Sequence, residues 1–132
     1  MKYQLVEDDN NVNEFASGTY KIGSARLVPS KLIKMFGPPL SGDGYKVSGE
    51  YVFKSEDGKP FTVYDWKQTT LYDQENLYTN VGFWMLDKEM EFSIGGKDMN
   101  DYHDFYKWIK SYAEVMVCGQ IWRLINTTKS LD

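Results

Sequence analysis

The sequence has little of the residue types on which most catalytic and metal-binding sites depend. It contains one cysteine, Cys118, and one histidine, His103, among its 132 residues. A single cysteine excludes an internal disulfide and any zinc site built from several thiolates. A single histidine weighs against Ser-His-Asp and Cys-His arrangements. On the helix expected around it, His103 aligns with Lys107 and Lys110, which indicates a solvated face.

Long apolar runs and clusters of one charge sign are also missing. No segment approaches the roughly 20 apolar residues of a membrane span, and the N-terminus has no signal-peptide pattern. These absences predict a cytoplasmic protein without a membrane partner. The 15 basic residues are dispersed among 19 acidic ones, with a net charge of −4. We therefore expect no duplex nucleic-acid partner, which would need a basic footprint. Because the motifs GxxxxGK[ST] and GxGxxG are absent, we also expect no cofactor.

Aromatic residues, in contrast, are abundant. They make up 16% of the chain and include ten tyrosines. Large amphipathic rings suit a surface that must be apolar and still form hydrogen bonds, and they equally suit an aromatic core. The length predicts one domain, residues 1–132, with a proper hydrophobic core.

The strongest local pattern is a β-hairpin. Two alternating runs, YKVSGEYVF and PFTVYDW, flank the turn sequence SEDGK. A three-residue loop with Gly58 in the left-handed conformation aligns Phe53 with Phe61. A two-residue turn would instead oppose Glu50 to Asp65, and directly opposed like charges destabilise a sheet. We therefore predict the bulged register.

In this register the two faces of the hairpin differ in chemistry. The apolar face, which should cover the core, carries Tyr51, Phe53, Phe61 and Val63. Extended further, the register pairs Gly49 with Asp65, Ser48 with Trp66, and Lys46 with Gln68. We expect the opposite, mixed face and the loop after it to hold a ligand. The candidate ligand-binding residues are Lys46, Ser48, Glu50, Tyr64, Trp66, Lys67, Thr69 and Tyr72.

The remaining segments complete an α+β fold with an antiparallel sheet of about four to six strands. We expect an edge strand and a loose loop within residues 1–17, and short strands at 19–27, 83–85 and 91–94. A short N-terminal helix should begin at Pro29, pack through Phe36 and end at Gly37. A longer helix at 99–112 should pack on the apolar face. Residues 114–125 fit either a strand or a continuation of this helix, and an unpartnered strand there would be a homo-oligomer contact.

Asp65, Trp66 and Lys67 form a D-x-K sequence that resembles the metal-binding core of restriction-type nucleases. Metal-dependent phosphoester cleavage by Asp65 and Lys67 is therefore the enzymatic alternative. The expected geometry opposes it, since Glu50 falls on the other face and Asp43 lies roughly 20 Å away along the strand. We predict neither catalytic nor metal-binding residues.

A structural interpretation of Asp65 is simpler. Opposite a glycine, a partly buried carboxylate has room to accept hydrogen bonds. The expected donors are Lys67, Thr69 and Tyr72. The carboxylate could instead anchor a ligand.

Several features agree with a small phosphate-bearing or nucleobase ligand. Gly95 and Gly96 precede the longer helix, where backbone N–H groups attract anions. Tyr64 and Trp66 offer rings on which a base can stack.

The pattern FGPP…GYKVSGEYVF…GKPFTVYDWKQTTLYD…FSIGG, between Phe36 and Gly96, resembles small bacteriophage-encoded accessory proteins of uncharacterised activity. The long segment beyond Tyr112 departs from that pattern. The resemblance implies no catalytic residues. It implies a compact acidic protein in the host-cell cytoplasm that neutralises host defence by binding. Its partner would be a small nucleotide immune signal or a host defence protein.

Overall fold

The computed structural model describes residues 2–7 and 11–117, with side chains through Tyr112. These residues form an α+β fold in which six antiparallel strands make one sheet, in the order β1-β4-β5-β6-β2, with β3 also paired to β4. The strands are β1 (Tyr3–Val6), β2 (Tyr20–Leu27), β3 (Leu40–Ser41), β4 (Gly49–Ser55), β5 (Pro60–Tyr64) and β6 (Met90–Gly96). The helices are α1 (Val12–Ala16), α2 (Pro29–Phe36), α3 (Asn80–Trp84) and α4 (Tyr102–Val117), with a 3₁₀ turn at Met99–Asp101. Within these ranges no helix is long and apolar enough to cross a membrane.

The central hairpin, β4–β5, has the register predicted from the sequence. Phe53 lies opposite Phe61, and the Ser55 N–H donates to the Lys59 carbonyl at 3.0 Å. Gly58 has φ 88°, a left-handed value that glycine adopts without the steric cost of a Cβ. The bulged turn is therefore confirmed.

The hairpin ladder ends earlier than predicted. β5 stops at Tyr64, and the Lys67 N–H donates to the Lys46 carbonyl at 2.7 Å, one residue out of the expected register. Lys67 has φ 59°, which turns the chain out of the extended conformation. Three predicted strand pairs are therefore absent from the ladder: Gly49 with Asp65, Ser48 with Trp66, and Lys46 with Gln68.

The apolar face of the hairpin is covered by α4, as predicted, and also by α2. The Phe105 ring stacks on the Phe61 ring, with centroids 4.8 Å apart and planes 7° from parallel. Phe36 of α2 packs edge-on against Phe53 at 5.1 Å. The Trp108 ring of α4 lies 5.4 Å from the Phe53 ring. The core is thus largely aromatic.

The last helix also resolves part of an ambiguity in the sequence. Because α4 continues to Val117, a strand at 115–117 is wrong and the helical alternative holds as far as that residue. The rest of the ambiguous segment, 118–125, lies outside the described residues, as does any homo-oligomer contact it would make.

Two short helices were missed. The predicted strand at 83–85 is wrong, because residues 80–84 form α3. At the start of this helix, the Thr79 hydroxyl accepts the Gly82 N–H at 3.0 Å. This side-chain cap stabilises the first turn of α3. α1 replaces the expected loose loop and packs on the mixed face of the sheet against β5, where Val12 is buried.

The outer edge of the sheet at β2 is occupied by side chains of α4. The Tyr102 hydroxyl donates to the Ser24 carbonyl at 2.6 Å, and Lys110 Nζ donates to the Arg26 carbonyl at 2.8 Å. Carbonyls of alternate residues point to the same side of a strand. The two contacts therefore cover one stretch of this edge.

Candidate ligand-binding surface around Trp66

The buried carboxylate of Asp65 joins the two segments that carry the candidate residues. Asp65 is fully buried. Its Oδ1 accepts the N–H groups of Ser48 at 2.8 Å and Gly49 at 3.1 Å, and its Oδ2 accepts the Ser48 hydroxyl at 2.7 Å. Burial raises the pKa of Asp65, and these hydrogen bonds act in the opposite direction. The carboxylate is structural, but the donors predicted from the sequence are wrong: Lys67, Thr69 and Tyr72.

The Ser48 hydroxyl makes two hydrogen bonds within the protein, one as donor and one as acceptor. Besides donating to Asp65, its Oγ accepts the Trp84 Nε1–H at 2.9 Å. Gly49 next to it has no room for a side chain, since a Cβ would lie 2.8 Å from the Trp84 ring and 2.9 Å from Pro39. This close packing connects β4 to α3.

The loop after β5 is held by side-chain amides. Asn76 Nδ2 donates to the carbonyls of Lys67 at 3.2 Å and Thr69 at 2.8 Å. The Thr70 N–H donates to the Tyr78 carbonyl at 2.8 Å. Thr69 itself is only 2% exposed, so its side chain faces the interior rather than a ligand.

Five side chains at the start of this loop and on the preceding turn form an exposed cluster. Trp66 is 45% exposed, and the ammonium groups of Lys46 and Lys67 lie 5.7 Å and 5.6 Å from its ring. Lys67 also lies 5.0 Å from the Tyr72 ring, which packs at 5.1 Å on Tyr45. We refer to Tyr45, Lys46, Trp66, Lys67 and Tyr72 as the aromatic–lysine surface.

The lysines of this surface are not in salt bridges, although the charge of Lys46 contributes to lowering the pKa of the nearby Asp43 carboxylate. The two salt bridges found within residues 2–7 and 11–117 join Lys59 to Asp101 and Lys110 to Glu89, so neither Lys46 nor Lys67 is in one. Attraction to the rings is the interaction they make instead. Two cations beside one exposed indole are well placed to bind a ligand that is both anionic and planar.

Lys67 is held in an unfavourable backbone conformation. At φ 59° it is the one non-glycine residue in the left-handed region across the described chain. For a residue with a Cβ this conformation costs roughly 1–2 kcal/mol. Such strain clusters at binding sites, where surrounding contacts impose it. Here the contact with the Lys46 carbonyl and the Asn76 amide hold the peptide on either side.

A cleft of about 290 Å³ adjoins the surface on the mixed face of the sheet. It is lined by Lys21, Trp66, Gln68, Glu91 and Ser93. Trp66 thus belongs to both the surface and the cleft. The Gln68 amide donates to the backbone carbonyl of Glu91, which fixes one wall.

Tyr64 lies between Ser93, which lines this cleft, and Glu50 on the next strand. Burial raises the pKa of Tyr64, and the Ser93 side chain acts in the opposite direction. The Tyr64 ring lies 6.4 Å from the Trp66 ring. Glu50 is half-buried opposite Tyr64. Burial raises the pKa of Glu50, and the nearby Asp43 carboxylate adds to that effect.

Two other expectations from the sequence fail or lack support. Gly95 and Gly96 are buried within β6 and pair with neighbouring strands, so they do not form a helix N-terminus for an anion.

In the D-x-K sequence, Asp65 is inaccessible while Lys67 contacts rings. Among the residues with described positions, no three acidic, histidine or cysteine side chains converge as metal ligands.

The structure therefore divides the predicted ligand-binding residues into three groups. Lys46, Trp66, Lys67 and Tyr72 come together in the aromatic–lysine surface, Tyr64 and Glu50 lie opposite each other on the sheet, and Ser48 and Thr69 serve the interior. The predicted ligand-binding residues did not include Tyr45, or the cleft residues Lys21, Gln68, Glu91 and Ser93. Tyr45 precedes Lys46 directly and was the one detectable locally. Comparison with protein-family models gave no match, and comparison with curated proteins gave none either.

Proposed function

We propose that the protein acts by binding, without catalysis, and that its recognition surface is the aromatic–lysine surface. The observation that carries this proposal is the pair of lysines, 46 and 67, placed within 6 Å of the exposed Trp66 ring and outside any described salt bridge. The exposed part of the indole leaves apolar area in water, and ammonium groups outside salt bridges attract anions. Together they favour a planar, negatively charged ligand.

The resemblance to phage accessory proteins gives this binding a biological purpose. In the proposal, the protein neutralises a host defence by sequestering its small nucleotide signal. The cleft beside Trp66 supports a small ligand, because its volume of about 290 Å³ is just below the roughly 300–1,000 Å³ of small-molecule sites.

Docking on a host defence protein is the second candidate. It is favoured by apolar side chains near α3, where Leu77, Val81 and Met85 are 82%, 64% and 69% exposed. Val81 and Met85 are four residues apart on α3 and so share one face. A stable interface would need about 800 Å² on each partner.

Thermal unfolding in the presence of nucleotides or of Mg²⁺ tests these alternatives. A nucleotide at a hundred times its dissociation constant should stabilise the protein by about 2.7 kcal/mol. The Trp66→Ala variant should lose this stabilisation, whereas the control Tyr20→Ala, which removes a ring 49% exposed elsewhere, should keep it. Stabilisation by Mg²⁺ alone would instead favour phosphoester cleavage by Asp65 and Lys67. Stabilisation by neither would favour docking.

A further inference from the structure

We propose that the aromatic–lysine surface binds a ligand with two bases, a dinucleotide, by stacking one base on Trp66 and the other on Tyr45. This inference rests on the proposed nucleotide binding and deepens it, because it sets how many bases the ligand carries. It is based on the arrangement of the rings, which form two separate groups with two ammonium groups between them.

The rings of this region fall into two pairs. Tyr45 packs on Tyr72 with ring centroids 5.1 Å apart, and Tyr64 lies edge-on to Trp66 at 6.4 Å. Within the described part of the chain, no ring contact joins one pair to the other. Each pair exposes one large ring, since Tyr45 is 53% and Trp66 45% exposed. The surface therefore offers two stacking positions rather than one.

Each lysine ammonium lies near one ring of both pairs. Lys46 Nζ is 6.0 Å from the Tyr45 centroid and 5.7 Å from the Trp66 centroid. Lys67 Nζ is 5.0 Å from the Tyr72 centroid and 5.6 Å from the Trp66 centroid. The Tyr45 and Trp66 centroids are therefore no more than 11.7 Å apart, the two Lys46 distances laid end to end. The two stacking positions thus flank cations and are close enough to share one ligand.

A dinucleotide has the matching order of chemical groups. A phosphate joins its two sugars, so an anion lies between two planar bases. With the bases on Tyr45 and Trp66, this phosphate would lie near the Lys46 ammonium, which can donate up to three hydrogen bonds. Lys67 is then left for a terminal phosphate. A mononucleotide has a single base and would leave one of the two exposed rings uncovered.

Both rings keep open area although ammonium groups lie beside them. The exposed fractions of Tyr45 and Trp66 apply with the lysine side chains in place, so that area is available to a base. Stacking on an aromatic side chain requires only a π-face, which every base has. We therefore expect the surface to distinguish ligands by their number of bases rather than by the identity of each base.

Isothermal titration of the full chain with adenine nucleotides tests the inference. The ligands are AMP, adenosine 3′,5′-bisphosphate (pAp) and the 5′-phosphorylated dinucleotide pApA. The last two have the same number of phosphates and differ by the second adenosine. We expect pApA to bind at least about fivefold more tightly than pAp, which corresponds to about 1 kcal/mol, the lower end for one stacked base.

Ring variants locate the second base. Tyr45→Ala should reduce the affinity for pApA to that for pAp and leave pAp unchanged, because a single base stacks on Trp66. Tyr45→Phe keeps the ring and should keep the gain, whereas Trp66→Ala should weaken all three ligands. The control Tyr20→Ala removes a ring 49% exposed on β2 and should change none of them. Since Tyr45 and Tyr20 are exposed, we expect their variants to melt at the temperature of the natural chain.

The outcomes separate this inference from the proposed function. Equal affinities for pApA and pAp, both lost in Trp66→Ala, would overturn two-base binding and leave nucleotide binding intact. An equal loss of pAp and pApA in Tyr45→Ala would also overturn it, because one base would then use both rings. A further gain of about fivefold from pApA to pApApA would overturn the limit of two bases and favour single-stranded nucleic acid. Absence of binding by any of these nucleotides would overturn both the inference and the proposed function.

Discussion

Asp65 binds Ser48 through both of its carboxylate oxygens, one accepting the backbone N–H and the other the hydroxyl. Ser48 lies two residues after Lys46, and Asp65 directly precedes Trp66. The contact therefore sets the separation between the lysine and the indole of the aromatic–lysine surface. Asp65 is buried and does not contact the proposed ligand, but it positions Lys46 and Trp66, which would contact it.

Replacement of Asp65 by Ala should destabilise the fold strongly. The change leaves the N–H groups of Ser48 and Gly49 without their acceptor, and each unsatisfied buried group costs about 1–3 kcal/mol. We expect the free energy of unfolding in urea to fall by about 2–4 kcal/mol. Glu75→Ala, at an exposed position, should change it by less than about 0.5 kcal/mol. Equal effects of the two changes would show that the carboxylate is dispensable.

Phe105→Ala should be among the most destabilising changes in α4. Phe105 is fully buried and stacks on Phe61, so its truncation leaves a cavity between helix and sheet. The expected loss is about 3–5 kcal/mol, measured by denaturant unfolding. Met99→Ala is the control, because Met99 is 65% exposed. A loss below about 1 kcal/mol for Phe105→Ala would contradict the packing of α4 on the hairpin.

Glu50→Gln should alter how stability depends on pH. Burial raises the pKa of Glu50 in the folded protein above its unfolded value. Below the unfolded pKa, about 4.3, both states hold the proton. As the pH rises through the folded pKa, the natural protein loses stability because it must ionise a half-buried group. The amide escapes that loss.

Melting temperatures measured at intervals from pH 4 to pH 7 would show this effect. The advantage of Glu50→Gln over the natural chain should grow with pH and then level off. No such trend is expected for Glu75→Gln. If the advantage instead shrinks as pH rises, the Glu50 carboxylate is stabilised in the folded protein and its pKa is lowered.

Lys67→Gly should preserve or increase stability while weakening ligand binding. Glycine adopts φ 59° freely, and the relief of left-handed strain outweighs its greater unfolded entropy by up to about 1 kcal/mol. Lys46→Gly is the matched control, since Lys46 has no positive φ, and it should be destabilising. Lys67→Ala removes the same ammonium without relieving the strain. Thermal unfolding of the three variants distinguishes the effects, and a destabilised Lys67→Gly would contradict the assignment of strain.

The hairpin shows how far local chemistry carries a prediction. Gly58 and the repulsion expected between Glu50 and Asp65 were sufficient to determine its register. The same reasoning failed beyond Tyr64 because the break depends on Lys67, and lysine gives no sign of a left-handed conformation. Its conformation is imposed by hydrogen bonds to Asn76, nine residues later in the chain, and to Lys46 on the facing segment.

The parts of the candidate site formed by residues close in sequence could be predicted, whereas the parts formed by distant segments could not. Trp66 and Lys67 are neighbours, and the prediction placed Trp66 on the mixed face by its alternating pattern and Lys67 in the loop that follows. Lys21 and Glu91 reach the cleft from β2 and β6, and which strands adjoin was not evident from any one segment. The donors to Asp65 were assigned to its own loop, whereas the backbone across the hairpin supplies them.

The hydrogen bonds from Tyr102 and Lys110 to β2 bear on how copies of the protein behave when crowded. A bare outer strand is a template on which further chains assemble into fibres. Here two carbonyl oxygens of β2 that an added chain would need as acceptors already accept hydrogen bonds from side chains of α4. Fibre formation along this margin must first break both bonds, so the fold carries its own barrier to self-templated polymerisation there.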